Sequence, residues 1–540
     1  MGQLALYSFG TLALLFGLLF AVMTAVIFWL EAPLWLALIA AVVLSGIQYA
    51  IGPYIIEWIH KIDWMPVESI DPEIASLVRS VIHKHGMREP RFGVIADGNP
   101  NAFTFGHHPG NARVVVTTGL LEVCDTAQRR AVVAHELGHI IHWDFVVMTV
   151  AATVPLLLYY IYVFTMRGRS RRDGGIVVLV GLGALLAYVI SRYIVLGLSR
   201  VREYYADEFS ARTTHDPNAL AEGLVKIAYG LARSRPPEEK EQQLAPASAG
   251  MKPFGIFDAT FGKSMAVATA GAYGLTDGEV SNATAVQAMR WDLWNPWAAL
   301  LELRSTHPLP AKRIRALGRI AEVMGQPKAF EVPGRAPQSY WDEFATDVLV
   351  SLLPVAGLLI GAAVGLALGW AQGMVATGFA ILIAGLGVGM LAKLAFTHPR
   401  NRFQDGRVAE LVGEVGVSAI RPIPVRLRGQ VIGRGIPGLY WGEDLVLQDE
   451  SGFILLDYRQ PVRILEVLFG LFRADSFIGQ SVVAEGWYRR APVPFVELWK
   501  VRLPGGNVHT SHNWGMSFAL ALLLAGGGII TALLTMLAGL

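Results

Sequence analysis

Six stretches of the chain are apolar over about 20 residues or more, the length that crosses roughly 30 Å of hydrocarbon as a helix. They are residues 9–30, 33–56, 145–165, 174–198, 348–392 and 515–540. The third contains Pro155 and the fourth contains Arg192. The fifth holds no charged residue but is too long for one span, and Gly369-Trp370-Ala371-Gln372-Gly373 supplies a polar, Gly-rich turn within it. Splitting it there gives seven expected spans. Between them lie three long polar stretches, 57–144, 199–347 and 397–513, which fall on one side of the membrane if every span crosses.

The polar stretches differ in texture. In 57–144, Asp71-Pro72 reads as an N-cap with proline at the first helical position. Ile74, Leu77, Val78, Val81 and Ile82 follow at helical spacing. Residues 92–95 and 113–117 are rich in strand formers. Asp125 with Gln128 resembles a capping box opening a helix through 131–143. Residues 199–233 read as helical, 234–290 as a mobile insertion, and a helix is expected around 295–304. In 397–513, short runs such as Val425-Arg426-Leu427 and Leu445-Val446-Leu447 are punctuated by glycines, and Asp449-Glu450-Ser451-Gly452 is a hairpin signal. This stretch is expected to be a small all-β, OB-like barrel. No internal repeat is visible.

Composition supports a membrane protein with soluble parts. Charged residues make up 16% of the 540 and hydrophobic residues 53%, against about 25% charged in an ordinary soluble domain. A net charge of +2 gives no reason to expect a nucleic-acid partner. Cys124 is the sole cysteine, which excludes an intramolecular disulfide and Cys-rich metal sites, and it is expected to be a small buried apolar residue. No cleavable signal peptide is evident. Basic residues do not settle sidedness. Lys61, Arg200, Arg202, Lys393, Arg400 and Arg402 flank spans on the shared side, whereas Arg167, Arg169, Arg171 and Arg172 crowd one short loop opposite.

The segment with chemistry is His135-Glu136-Leu137-Gly138-His139. Helix positions four apart differ by about 40° around the axis, so both imidazoles can grip one metal ion, with Glu136 beside its open position to take a proton from water. A catalytic zinc site usually has three protein ligands. His142 is poorly placed to be the third, and His107 and His108 read as loop residues. Sixty-four residues beyond His139 stands Glu203, in Arg202-Glu203-Tyr204-Tyr205-Ala206-Asp207. Asp207, one turn on, is placed to accept the other N–H of a ligating histidine.

These two motifs, with Pro100-Asn101-Ala102-Phe103, Thr118-Gly119-Leu120-Leu121, Asp144, Ser305-Thr306-His307-Pro308 and Arg313-Ile314 in the same order, resemble the HtpX and CAAX-prenyl-protease family of integral-membrane zinc metallopeptidases. The resemblance covers about half of the chain. It implies His135, His139 and Glu203 as ligands of one Zn2+ per chain and Glu136 as general base. Asp207 would stand behind a ligand, expected to be His135. His307 or Arg313 would stabilise the oxyanion or the zinc-site carboxylates, with the choice open. Asn101, Ala102 and Phe103 are expected at a sheet edge that holds substrate as an added strand.

The resulting expectation is a multi-span α-helical membrane protein with a mainly α, zincin-like catalytic domain holding a small β-sheet, and a C-terminal small all-β (OB-like) domain. Its order is two transmembrane helices (1–56), a first catalytic segment (57–144), a transmembrane hairpin (145–198), a second catalytic segment (199–347), two transmembrane helices (348–396), the β-rich domain (397–513) and a last span (514–540). The expected function is hydrolysis of peptide bonds in membrane or membrane-associated proteins, in quality control. The expected partners are polypeptide substrates and the lipid bilayer. The expected location is the plasma (inner) membrane with the catalytic domain cytoplasmic. The alternative is a catalytically silent zinc-binding scaffold that recruits partners through its β-rich domain. A transporter is disfavoured because the spans hold almost no ionisable groups.

Overall fold

The computed structural model describes residues 34–167, 174–231, 282–332, 334–369, 373–400, 403–439 and 441–539. The expected first span, 9–30, and residues 234–281 of the expected insertion lie outside the described residues. Among the described residues, five stretches are helical, long and apolar enough to cross a membrane: Asp144–Val163, Val178–Thr214, Trp341–Leu368, Val375–Thr397 and Asn513–Ala538. The run expected as the second span also forms a helix, α1 (Leu34–Ile59).

The chain divides into two compact units. The first holds residues up to Ala285 with Leu300–Val332 and Ile436–Tyr440, and the second holds the rest.

In the first unit, α2 (Pro72–His85) begins where expected. Asp71 accepts from the backbone N–H of Glu73 at 2.9 Å and of Ile74 at 3.4 Å, and Gly86 ends the helix at φ 62°. Four strands form one sheet: β1 (Asp63–Trp64), β2 (Arg91–Ile95), β3 (Ala102–Phe105) and β4 (Arg113–Thr117). Their order is β1-β2-β4-β3, so β3 is an edge whose one ladder partner is β4, antiparallel. The rings of Phe103 and Phe105 stack at 5.8 Å within a buried cluster of Ile56, Ile95 and Val115.

Five longer helices of the first unit follow: α3 (Thr126–Ile141), α4 (Asp144–Arg167), α5 (Gly174–Thr214), α6 (Pro217–Tyr229) and α7 (Pro310–Val323). The Asp125–Gln128 capping box is formed in both directions. The apolar run ending at residue 198 and the polar helix after it are one element: α5 continues for 41 residues without a break. No proline or glycine interrupts 198–214, so nothing local stops the helix where the hydropathy changes.

In the second unit, α8 (Trp341–Leu368), α9 (Val375–Thr397) and α11 (Asn513–Ala538) pack together. Small residues allow the approach: a Cβ on Gly357 would lie 2.2 Å from the Gly385 carbonyl oxygen. Five strands close into a barrel: β5 (Ile423–Arg434), β6 (Leu445–Gln448), β7 (Phe453–Asp457), β8 (Ser481–Arg490) and β9 (Pro494–Arg502). The pairing runs β5-β6-β7-β9-β8 and back to β5, with β7 and β9 parallel. The hairpin signal at 449–452 joins β6 to β7, with Asp449 Oδ1 accepting from Ser451 N at 2.7 Å and Gly452 N at 2.9 Å.

Two expectations are corrected. The domain is not all-β: α10 (Arg463–Phe472) lies between β7 and β8. The insertion does not reach 290, because Asn282–Trp294 is helical. That helix is fixed by Trp291 Nε1 donating to Val417 O at 2.7 Å and by buried Arg490 donating to Asp292 Oδ1 at 3.0 Å.

Candidate metal centre

Helix α3 presents His135 and His139 on one face, their ring centroids 4.9 Å apart. Helix α5 crosses it closely enough to bring in a carboxylate. Gly138 permits this approach, since a Cβ there would lie 3.1 Å from Ala206 Cα and 3.3 Å from Phe209 Cβ. Ser210 Oγ donates to Ala131 O at 2.6 Å and ties the same two helices. Glu203 Oε2 then lies 3.6 Å from His135 Nε2, and Glu203 Oε1 lies 3.5 Å from His139 Nε2. One ligand atom from each of the three residues falls within 4.8 Å of the others.

The far side of each imidazole is held by its own carboxylate. His135 Nδ1 lies 2.9 Å from Asp207 Oδ1, and His139 Nδ1 lies 2.5 Å from Asp144 Oδ2. A proton on each Nδ1 leaves the Nε2 lone pairs pointing towards Glu203. Asp207 reaches His135 because it follows Glu203 by one turn of α5. Asp144 is in turn paired with Arg202.

Arg313, on α7, is buried and bridges two of these carboxylates. Its Nε donates to Asp207 Oδ2 at 2.9 Å, one terminal nitrogen to Asp207 Oδ1 at 2.5 Å, and the other lies 3.1 Å from Glu203 Oε2. Burial works against its charge, but Asp207 and Glu203 more than offset this and raise its pKa. His307 Nδ1 lies 3.0 Å from Glu203 Oε2. Arg200 donates to Glu302 O at 2.9 Å and to Ser305 O at 2.8 Å, which pins the segment leading into His307.

Glu136 is fully buried, and desolvation pushes its carboxyl up from the ordinary value. Its Oε2 accepts from Thr104 Oγ1, on edge strand β3, at 2.7 Å. Oε1 is buried without a hydrogen-bond partner. Sequence reasoning misses Thr104 because it stands 32 residues from Glu136, and only the fold of β3 brings it there. Alternation along a short strand between Phe103 and Phe105 is the one available signal.

The other sequence-derived residues sort plainly. Asn101, Ala102 and Phe103 lie at or just before the edge strand, but the Phe103 side chain is in the core. His142 caps α3 and packs against Tyr205 and Phe209, apart from the three converging donors. His107 is held by its own turn and by α1, its Nδ1 2.7 Å from Asn111 Nδ2 and its Nε2 2.9 Å from Ala50 O. Cys124 is buried.

The donor set suits zinc: two imidazole nitrogens and one carboxylate, each imidazole oriented from behind. The buried His139 Nε2 has no hydrogen-bond partner, an orphan that a metal would satisfy. Burial pushes the His139 pKa down, which favours neutral imidazole, the form that ligates.

Residues 68–321 match the profile of peptidase family M48. A protease HtpX homolog of Methanothermobacter thermautotrophicus is 38% identical over 232 residues, 43% of this chain and 88% of that relative. The chain belongs to peptidase family M48. Protease HtpX homolog 2 of Methanosarcina acetivorans is 34% identical over 224 residues, 41% of this chain and 74% of that relative. The crystal structure of S. mikatae Ste24p aligns over 39% of this chain and 55% of that one, with a TM-score of 0.30 and 18% identity, too slight a likeness to carry an argument. As an M48 member the chain is a zinc metallopeptidase. The M48 match contains all of the converging residues, whereas α8, α9, the barrel and α11 lie beyond it.

Proposed function

We propose that this M48 peptidase is a membrane-embedded zinc endopeptidase that cleaves membrane or membrane-associated proteins, with His135, His139 and Glu203 as the ligands of one zinc ion. The single observation that carries this reading is the convergence of those three donors beside a buried carboxylate, Glu136, that keeps one oxygen unbonded. Zinc held there would polarise the scissile carbonyl and lower the pKa of a bound water to about 7.

The chain's own residues do the rest. Thr104 holds Glu136 Oε2, so Oε1 is the atom left to accept the proton of the attacking water and to pass it to the leaving amine. Arg313 commits its donors to Asp207 and Glu203, which supports a positioning role on the zinc-site carboxylates. His307 keeps a buried Nε2 without a partner; with Nδ1 held on Glu203, protonation of the ring would give Nε2 the N–H that meets the oxyanion. The backbone of β3, from Ala102, offers an edge on which an extended substrate adds as a strand.

The five candidate spans support an integral-membrane location. A cytoplasmic catalytic side at the plasma (inner) membrane, and a quality-control role, follow from the family resemblance. The pairing order of the barrel, with its parallel β7–β9 pair and a helix between the third and fourth strands, supports the OB-like reading of the C-terminal domain.

Replacing Glu136 separates the enzyme from a silent scaffold. Glu136→Gln is expected to keep its zinc and to lose nearly all cleavage of an unfolded casein substrate, while the wild type is blocked by a zinc chelator. Undiminished cleavage by the zinc-loaded variant would remove Glu136 as the base, and a wild type indifferent to the chelator would remove the peptidase mechanism.

A further inference from the structure

Helix α10 has two faces with different fates. Glu466, Phe469 and Gly470 turn towards the barrel and are buried. Phe469 stacks on Tyr458 at 4.1 Å and lies 5.6 Å from Phe477. The other face carries Ile464, Leu465, Leu468 and Phe472, which are 64%, 47%, 41% and 63% exposed. At 3.6 residues per turn, these four fall within an arc of about 100°. A helix that only plugged a barrel would show polar residues there.

The segment before α10 fixes its level. Gln460 Nε2 donates to Thr510 O at 3.3 Å, and His512 N donates to Gln460 Oε1 at 3.3 Å. Ser511 Oγ donates to Arg459 O. Residue 513 is the first of α11, so α10 starts three residues from a side chain clamped to the last turn of chain before a candidate span.

An interfacial marker sits at the same level. Trp514 stacks on Phe518 at 5.2 Å, and the Arg400 guanidinium lies 3.5 Å from the Trp514 ring centre. Tryptophan at a span end belongs at the headgroup level. Arg473, exposed just past the end of the helix, matches anionic headgroups in charge.

We propose that α10 is an interfacial helix: its Ile464, Leu465, Leu468 and Phe472 face rests in the headgroup–acyl boundary of the bilayer that α11 crosses, with Arg473 against lipid phosphates. The proposal rests on the reading of α11 as a span. It makes the barrel a domain seated on the membrane surface.

Quenching of a fluorophore in the full chain tests this. Leu468→Cys and, separately, Phe472→Cys are labelled with bimane and reconstituted into phosphatidylcholine–phosphatidylglycerol vesicles. The wild type, whose one thiol is buried at Cys124, gives the background. Glu450→Cys in the β6–β7 turn serves as the aqueous control, and Leu523→Cys on α11 as the spanning control. Both α10 labels are expected to emit to the blue of Glu450→Cys. They are also expected to be quenched by lipid carrying a nitroxide high on its acyl chain and to be shielded from iodide. Iodide quenching equal to that of Glu450→Cys would overturn the proposal. So would protection from both quenchers, which would mean that protein covers the face. If Leu523→Cys escapes lipid carrying a nitroxide deep on its acyl chain, the spanning reading of α11 falls; if that control is quenched and only the α10 labels escape the shallow nitroxide, the interfacial helix alone is wrong.

Discussion

Asp144 Oδ2 stands 2.5 Å from His139 Nδ1, although the two residues belong to different helices. The turn between them makes this possible. Trp143 takes φ 59°, the left-handed region that a bulky residue rarely occupies. The chain reverses there and delivers the first residue of α4 to the back of the second histidine. Arg202, next to Glu203 on α5, pairs with the same Asp144. The first residue of one candidate span and the polar end of another are thereby joined by an ion pair directly behind a proposed ligand.

Asp144→Asn tests this link. The amide cannot hold the Nδ1 proton as a carboxylate does, so His139 loses both its fixed tautomer and part of its basicity. Zinc affinity is expected to fall by about 10–100-fold, measured by competition with a chromogenic chelator, while the helical circular dichroism stays unchanged.

Gly138 sets helix spacing, and two glycine substitutions separate spacing from propensity. Alanine favours a helix interior over glycine by about 1 kcal/mol, but overpacking a tight contact costs about 1–3 kcal/mol. At Gly138 the new Cβ meets Ala206 backbone at 3.1 Å. At Gly223 on α6 the nearest atom it meets is Val132 Cγ2, at 3.6 Å. Gly138→Ala is therefore expected to lose zinc and cleavage, whereas Gly223→Ala keeps both and melts at the same temperature or slightly higher.

Arg313 is the counter-ion of a buried pair of carboxylates. Arg313→Met leaves Asp207 and Glu203 facing each other without a cation, and removing one partner of a buried ion cluster costs about 3–5 kcal/mol. The metal-free variant is expected to melt well below the metal-free wild type. Arg313→Lys should recover only part of the loss, because an ammonium cannot reach both carboxylates as the guanidinium fork does.

Stability should also respond to His60. Burial lowers its pKa to about 4, with a backbone contact to Pro437 working weakly the other way. The folded state therefore keeps His60 neutral where the unfolded chain would protonate it, from about pH 6.5 downwards. Its contribution is fully present above pH 6.5 and is lost as pH falls through about 4, a total on the order of 3 kcal/mol. Thermal melting of His60→Gln against wild type between pH 7 and pH 4.5 should show a shallower pH slope in the variant, and equal slopes would count against burial as the cause.

Much of this arrangement is legible in the sequence because its signals are local. The Asp71-Pro72 start, the Asp125–Gln128 box, the four-residue histidine spacing and the turn at 449–452 each depend on neighbours along the chain. What escapes depends on distance or on weak punctuation. Thr104 meets Glu136 only after β3 has joined the sheet. The junction at residue 198 reads as a boundary because hydropathy changes there, yet backbone continuity follows helix propensity, which does not change. The segment 463–472 escapes for another reason: it carries a helical period, with Arg463 and Glu466 on one side, but it is only ten residues long and stands among glycine-punctuated strand signals that set the reading of the whole stretch.

The most direct measurement is the zinc content of purified protein by elemental mass spectrometry, comparing wild type, Glu203→Gln and Glu208→Gln. The last of these alters a carboxylate on the same helix that pairs with Arg212 and stands outside the converging donors. One zinc per chain is expected in wild type and in Glu208→Gln, and substantial loss in Glu203→Gln. A full zinc complement in Glu203→Gln would contradict the three-donor centre.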